Sequence, residues 1–285
     1  MKKYFSLVLF AHSVFALPFA VIGFFIAIDT AGYSFEWWKL LLMVLCMVTA
    51  RNSAMAFNRY LDRDIDALNE RTAQRDIPAG RISAKGALNF TIINCLLFIA
   101  TTYFINTLCF ILSPVALGVI LFYSYTKRFT ALCHLVLGVG LGLAPIGAYL
   151  VVTGEFAVLP VLLGLAVMCW SAGFDIIYAL QDEEFDKDYE LHSIPSLLGT
   201  SGALWVSRGL HLMSFLFILS TTLFMEVGVF YYLGIAFYGF LLIYQQSIVS
   251  PKDLSKVGRA FMTTNGIASV IFAIFYLLDF AFPIA

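Results

Sequence analysis

The stretch Asn58-Arg59-Tyr60-Leu61-Asp62-Arg63-Asp64-Ile65-Asp66 closes the second long apolar run of the chain. Its oxygen-bearing side chains Asn58, Asp62 and Asp66 recur at every fourth residue. On an α-helix each such step turns by roughly 40°, so the three share nearly one side over about 12 Å of axis. Polar groups gathered at the edge of an apolar segment cost desolvation free energy unless something binds them. Hard oxygen donors suit Mg²⁺, which takes a few carboxylates and completes its shell with water or phosphate. Far downstream, Asp182-Glu183-Glu184-Phe185-Asp186 repeats the same acidic step. Two such clusters facing one another would clamp a metal and a diphosphate, so the fold has to be read for whether they meet.

Working outward, the 285 residues are 61% hydrophobic and only 12% charged, with mean hydropathy +0.90, which excludes an ordinary soluble domain. Apolar runs near twenty residues predict an all-α, multi-pass membrane protein with about nine transmembrane helices around a central cavity. The expected spans are roughly 4–28, 37–61, 87–106, 109–126, 131–152, 156–180, 203–224, 227–247 and 260–282. The connections near 62–86 and 181–202 are long and polar, and are expected to cap the bundle on the cytoplasmic side. Lys2 and Lys3 precede an apolar run from Tyr4 to Ile28, too long for a signal peptide and without a small-residue cleavage pattern; it reads as the first membrane helix. Cys46, Cys95, Cys109, Cys133 and Cys169 all lie in apolar runs without zinc-like spacing and read as small buried side chains. A net charge of −1 with no recognition motif gives nucleic-acid binding no support.

With the N-terminus inside, sixteen of the seventeen Lys and Arg residues fall on the inner side, and only Lys39 lies outside. This satisfies the positive-inside rule, places both acidic clusters on the cytoplasmic face and the C-terminus outside. An internal repeat supports their meeting. Asp62 and Asp66 are followed by Ile77-Pro78 and Gly86-Ala87-Leu88, whereas Asp182 and Asp186 are followed by Ile194-Pro195 and Gly202-Ala203-Leu204. One domain, 1–285, built of pseudo-repeat halves near 1–130 and 131–285, would carry the two clusters over a central cavity.

Interfacial carboxylates also end helices or pair with arginines, and 62–86 supplies Arg63, Arg71, Arg75 and Arg81. Two clusters matched in spacing and forced to one side favour a functional site over plain pairing. Asp175, seven residues before Asp182, lies on the same helical face inside an apolar run, where carboxylates mark functional cavities. Lys127 and Arg128 end the fourth run on that side, and Arg63 sits within the first cluster; such groups bind phosphate oxygens. Most of the 28 Phe and 14 Tyr face lipid or pack, but Phe122, Tyr123, Tyr125, Trp170, Phe174 and Tyr178 lie near the inner ends, where a few could stabilise a carbocation. His12, His134, His192 and His211 share no ligand spacing and read as structural. No nucleophile–base set or Gly-rich phosphate loop appears.

The chain resembles the UbiA superfamily of intramembrane prenyltransferases over nearly its whole length. The family's first signature, NDxxDxxxD, stands as Asn58-Arg59-x-x-Asp62-x-x-x-Asp66, with arginine in place of the first aspartate; the second, DxxxD, runs from Asp182 to Asp186 after Tyr178-Ala179. Tyr125-Thr126-Lys127-Arg128-Phe129-Thr130 resembles the family's YxKRxT segment. Ala50-Arg51-Asn52-Ser53-Ala54-Met55-Ala56-Phe57-Asn58-Arg59, Arg71-Thr72-x-x-Arg75-x-x-Pro78-x-Gly80 and His12-Ser13-Val14-Phe15-Ala16-Leu17-Pro18-Phe19-Ala20 resemble bacterial 4-hydroxybenzoate polyprenyltransferases and their menaquinone-pathway relatives. His192-Ser193 stands where many relatives have lysine before the serine.

The resemblance implies Mg²⁺-dependent transfer of a polyprenyl group from an allylic polyprenyl diphosphate to a small aromatic acid, 4-hydroxybenzoate or dihydroxynaphthoate, in quinone biosynthesis. Asn58, Asp62, Asp66, Asp182 and Asp186 would hold the metal, two ions together with the diphosphate, and the four aspartates would be catalytic. Asn58, Arg63, Lys127 and Arg128 would bind the diphosphate, and Arg51, Asp175 and Tyr178 would add substrate contacts. The expected location is the bacterial inner membrane, with the bilayer as surroundings and no obligate protein partner. Haem farnesylation within the same superfamily, and secondary transport from a different class, are the alternatives. A transporter's sites lie near the midplane on broken helices, whereas these acids cluster at one interface.

Overall fold

The computed structural model describes residues 15–283. Eleven α-helices follow one another: α1 Leu17–Ala31, α2 Trp37–Leu61, α3 Arg63–Leu68, α4 Ala84–Tyr103, α5 Thr107–Thr126, α6 Cys133–Thr153, α7 Val158–Ala179, α8 Glu183–Asp188, α9 Ile194–Ser220, α10 Val229–Ser247 and α11 Asn265–Ala281. A 3-10 turn, Leu180–Asp182, joins α7 to α8, and a π-helical turn, Arg259–Thr264, leads into α11. Among the described residues the β contribution is one isolated bridge, Ser250 to Asp253. Among the described residues, eight helical segments are long and apolar enough to cross a membrane. The expected first span, 4–28, lies partly outside the described residues, and its described part is the apolar α1. With α1, these segments are consistent with about nine spanning helices.

Local chemistry sets the helix ends. Ser83 accepts a hydrogen bond from the Gly86 amide at 3.1 Å and Asn106 from the Cys109 amide at 2.8 Å, so α4 and α5 start on capped amides. Ser193 and Ser196 form a reciprocal capping box at the head of α9, with Pro195 in the first turn, where its missing N–H costs nothing. This start differs from the expected one near residue 203. Hydropathy registers only the apolar stretch, whereas the cap begins the helix at Ile194, and a break at Gly199 (φ 68°, ψ 170°) re-aims it. The polar stretch 181–202 thus holds most of a 3-10 turn, α8 and the start of α9 through its break at Gly199.

In a bilayer, apolar side chains gain little by leaving lipid for protein, so the helices associate through close packing of small residues. The contact between α6 and α7 shows this: a Cβ at Gly142 would stand 2.6 Å from the Gly164 carbonyl oxygen, and one at Gly138 2.5 Å from that of Met168. Farther along α7, Trp170 is fully buried between Phe19 and Phe174, with ring centroids 5.2 and 5.0 Å away, and its indole N–H donates to Asn265 Oδ1 at 2.9 Å. A buried indole needs such a partner. Phe122 and Tyr125 are instead exposed on the outer wall, and Tyr178 stacks on Phe261 at 4.2 Å.

Candidate active site

The expected continuous helix over 58–66 is interrupted. α2 stops at Leu61, Asp62 adopts φ −89° and ψ 3°, and α3 restarts at Arg63. The hydrogen-bond ladder still runs through the break, from the Asp62 amide to Asn58 O (2.9 Å) and from the Asp66 amide to Asp62 O (2.7 Å). α7 ends in the same manner, with Asp182 closing the 3-10 turn before the six-residue α8. Each motif is thus a long apolar helix, an aspartate at a break, and a short polar helix.

Asp62 is buried and accepts from three side chains. Lys127 Nζ lies 3.0 Å from Oδ2, Arg128 Nη2 2.9 Å from Oδ1, and Asn58 Nδ2 3.1 Å from Oδ2. Arg128 is fixed in turn by the carbonyls of Ser124 (2.8 Å) and Leu61 (3.1 Å), which ties the end of α5 to the end of α2. Asp66 is equally buried; its Oδ1 accepts from Arg75 Nη1 at 2.6 Å, while Oδ2 has no partner. A buried carboxylate oxygen without a donor costs free energy, and it is the kind of vacant lone pair a cation takes up.

The two motifs come together. Asn69, just beyond α3, donates to Asp182 Oδ1 at 3.0 Å, and Arg71 grips both oxygens of that carboxylate while its Nη1 donates to the Tyr178 hydroxyl at 2.9 Å. Burial works against the Arg71 charge, but the hydrogen bond and charge of Asp182, with Tyr178, outweigh it and hold the guanidinium above its usual pKa. Lys127 also lies within electrostatic range of Asp186, and its carbonyl accepts from the His192 amide at 2.7 Å. Asp62, Asp66, Asp182 and Asp186 thus stand at one end of the bundle, interleaved with basic side chains.

Other expected residues stand apart. Arg63 turns outward, bonded to the Tyr60 carbonyl at 2.8 Å, paired with Asp64 at 3.3 Å and lying over the Tyr60 ring. Asp175 accepts from His134 Nδ1 at 2.7 Å, and His134 Nε2 receives the Ile194 amide at 3.3 Å, so this pair props the head of α9. Arg51 lies on α2 below the cluster, its Nε buried without a partner. Asn69, Arg71 and Arg75 were missed as site residues by sequence reasoning, although the arginines stood in a recognised motif. What carried the signal was their count: a loop with four arginines beside two acidic clusters offers each aspartate a partner.

Among the described residues no three carboxylate, imidazole or thiol groups lie together as a preformed metal site. Asp62, Asp66 and Asp182 are each held by a cation of the chain instead, and Asp186 lies within electrostatic range of Lys127. The donor set nonetheless fits Mg²⁺: it is all oxygen, it offers the vacant Asp66 Oδ2, and Mg²⁺ is typically bound by one or two carboxylates plus substrate phosphates.

The UbiA prenyltransferase family matches residues 16–267. The 4-hydroxybenzoate octaprenyltransferase of Cronobacter sakazakii is 31% identical over 236 residues, 82% of this chain and 81% of that protein. Among solved structures, the apo structure of a UbiA homolog from Aeropyrum pernix K1 matches with a TM-score of 0.85 at 31% identity, covering 94% of this chain and 98% of that one. A UbiA homolog from Archaeoglobus fulgidus, bound to GPP and Mg²⁺, shares the fold with a TM-score of 0.75 at 22% identity, covering 98% of this chain and 99% of that one. Sequence, bundle and paired aspartate motifs agree, and the chain belongs to the UbiA prenyltransferase family, a multi-pass membrane enzyme of prenyl transfer.

Proposed function

We propose that this chain transfers a polyprenyl group from an allylic polyprenyl diphosphate to a ring carbon of a small aromatic acid, 4-hydroxybenzoate in first place, in ubiquinone biosynthesis. The observation that carries the reading is the mouth itself: four aspartates, three of them paired to cations of the chain and the fourth within electrostatic range of Lys127, above an aromatic interior. The relatives named 4-hydroxybenzoate octaprenyltransferase support the acceptor. A dihydroxynaphthoate acceptor is the other member of the same substrate class.

Asn58, Asp62, Asp66, Asp182 and Asp186 would hold Mg²⁺, as two ions together with the diphosphate. When bound, the metal supplies Lewis-acid charge to the leaving diphosphate oxygens. The chain's own cations do the rest. Lys127 and Arg128 on Asp62, Arg75 on Asp66 and Arg71 on Asp182 are poised to exchange a carboxylate for a phosphate oxygen, which keeps the charge of the mouth near balance before and after binding. As the allylic C–O bond breaks, its electron pair leaves with the diphosphate, and these fixed positive groups stabilise the anion. The allylic cation is attacked by the electron-rich ring carbon, and loss of the proton from that carbon restores aromaticity. Arg51, with its unpartnered Nε, fits the acceptor's carboxylate. Tyr178 and Phe261 offer ring faces to the cation. The segments around α3 and α8 exclude water that would quench it.

By the positive-inside rule this mouth faces the cytoplasm, with the N-terminus on that side and the C-terminus opposite. The pseudo-repeat halves near 1–130 and 131–285 form one domain around it. The test is direct: purified protein is incubated with 4-hydroxybenzoate and a C20–C40 series of prenyl diphosphates, with and without Mg²⁺, and the products are identified by mass. A ring-prenylated acid formed only with Mg²⁺ is expected; absence of any prenylated aromatic acid across the series would overturn the reading.

A further inference from the structure

Away from the reaction mouth, α9 and α10 separate into a crevice of about 630 Å³ on the lipid-facing side. Its walls are two helical stripes. Arg208, Leu212 and Phe215 line it from α9, and Ala236, Phe240 and Gln246 from α10. The helices run in opposite directions, so Arg208 and Gln246 share one end of the crevice, and Phe215 and Ala236 share the other. That polar end lies where the bilayer meets water. Gln246 is the last residue but one of α10, and Arg208 is nine residues beyond the Gly199 break, about 13 Å along the axis. Trp205, 67% exposed, stands beside Arg208 with the guanidinium over its ring at 4.7 Å, the setting of an interfacial aromatic anchor.

Three polar groups at this end lack full pairing. Among the described residues Arg208 makes no ion pair, in contrast to Arg71, Arg75, Lys127 and Arg128 at the mouth. Gln246 is oriented by its Nε2, which donates to Ser207 Oγ at 2.8 Å and stands 2.9 Å from His211 Nδ1, and its Oε1 is buried without a donor. His211 lines the crevice between them, its Nε2 also buried without a partner, and the other lining side chains are apolar. The crevice does not open on the reaction site, because α7 and α9 close behind it: a Cβ at Gly173 would meet the His211 ring at 2.5 Å, and Ser207 donates to the Gly173 carbonyl at 2.8 Å.

An apolar slot with one unpaired cation at the interface is complementary to a lipid with a negative headgroup. We propose that this crevice binds one anionic glycerophospholipid, its phosphate on Arg208 and an acyl chain lying along Leu212, Phe215 and Phe240. A zwitterionic headgroup fits less well, since its own ammonium competes with Arg208 for the phosphate. A basic pocket between membrane helices is a general route to such recognition.

Native mass spectrometry of the detergent-purified full chain, titrated with phosphatidylglycerol or phosphatidylcholine, tests this. One retained phosphatidylglycerol is expected, with roughly fivefold preference over phosphatidylcholine, the worth of one interfacial cation. Arg208→Gln should abolish the preference, and Ala236→Trp, on the exposed wall, should fill the slot and remove the bound lipid. Prenyl transfer and thermal stability should be close to the parent protein's in both. Should Arg208→Gln fold poorly, Ala236→Trp carries the test. Equal retention of both lipids, a preference that survives Arg208→Gln, or lipid retained by Ala236→Trp would overturn the proposal. So would a two-chain particle that Ala236→Trp splits, because a second copy would then be the occupant.

Discussion

Arg71 closes over Asp182: Nε donates to Oδ1 at 3.0 Å, Nη2 grips Oδ2, and Nη1 reaches across to the Tyr178 hydroxyl at 2.9 Å. The arginine comes from the segment after the first acidic motif and the aspartate opens the second, so this one contact joins the two halves of the mouth. A planar fork makes the join, and a point charge would not: lysine could satisfy one oxygen but not Oδ1, Oδ2 and the phenol together. Arg71→Lys is therefore expected to lower kcat/KM for the prenyl diphosphate by roughly tenfold or more, with most of the loss in KM. Initial rates against donor concentration decide it. An unchanged KM would remove Arg71 from diphosphate binding.

Asp62 holds Lys127 and Arg128 side by side. Asp62→Asn keeps the shape and an acceptor oxygen but removes the negative charge that both cations and a metal require. Turnover is expected to fall by about a thousandfold, the scale of losing charge stabilisation in a closed site. Raising Mg²⁺ should recover little of it. Measuring rate against Mg²⁺ concentration separates the roles: a variant restored to the parent rate by more metal would show that Asp62 only tunes affinity. Chelation of the parent enzyme should stop turnover reversibly, with recovery on adding Mg²⁺ back.

His134 bridges Asp175 and the Ile194 amide, with Nδ1–H donating to the carboxylate and bare Nε2 receiving the amide. His134→Ala leaves the half-buried Asp175 carboxylate and Ile194 amide without this partner, each at a cost no greater than the ~1–3 kcal/mol of a fully buried group. The expected result is a lower melting temperature in detergent, with a KM for donor within a few-fold of the parent value. The opposite pattern, full stability with loss of donor binding, would move Asp175 from a structural role to the substrate.

Which parts of this were legible in the sequence follows from what each signal measures. Hydropathy counts apolar length, so the spans were readable, and α5 ends at Thr126 where the expected span ends. The Asn58, Asp62 and Asp66 step was readable because a four-residue period survives even where the helix stops at Leu61 and restarts at Arg63. The direction of an individual long side chain was not readable. Arg63 lies inside the first motif yet turns to Tyr60, whereas Arg71 and Arg75 sit in a loop and reach Asp182 and Asp66. Sequence neighbours of a helix point to different sides, and a loop's path is set by tertiary contacts such as Asn69 on Asp182. The early start of α9 was missed for a related reason: a capping box is a polar signal, invisible to a hydropathy window.

Gly199 is where that early start exacts a conformational requirement. Its φ of 68° and ψ of 170° lie in a region that essentially only glycine occupies, and it separates the capped first turn of α9 from the membrane-spanning part. A Cβ there would meet no obstacle closer than Glu183 Oε1 at 3.8 Å, so crowding is not the difficulty; the backbone angle is. Gly199→Ala is expected to cost about 1–3 kcal/mol, the range for a residue held in a sparsely populated conformation. The strain falls on Thr200, whose hydroxyl donates to Glu183 Oε2 at 2.6 Å and so links α9 to α8, one residue beyond Asp182. Relief of the strain would shift α8 and with it Asp186. Gly199→Ala should therefore lower both the melting temperature and turnover, and should raise proteolytic cleavage between residues 189 and 199. Gly118→Ala, at an unstrained helical glycine of α5 whose Cβ would meet nothing within 4 Å, is the control expected to change neither. If the two substitutions behaved alike, the turn at Gly199 would not be what positions the second acidic motif.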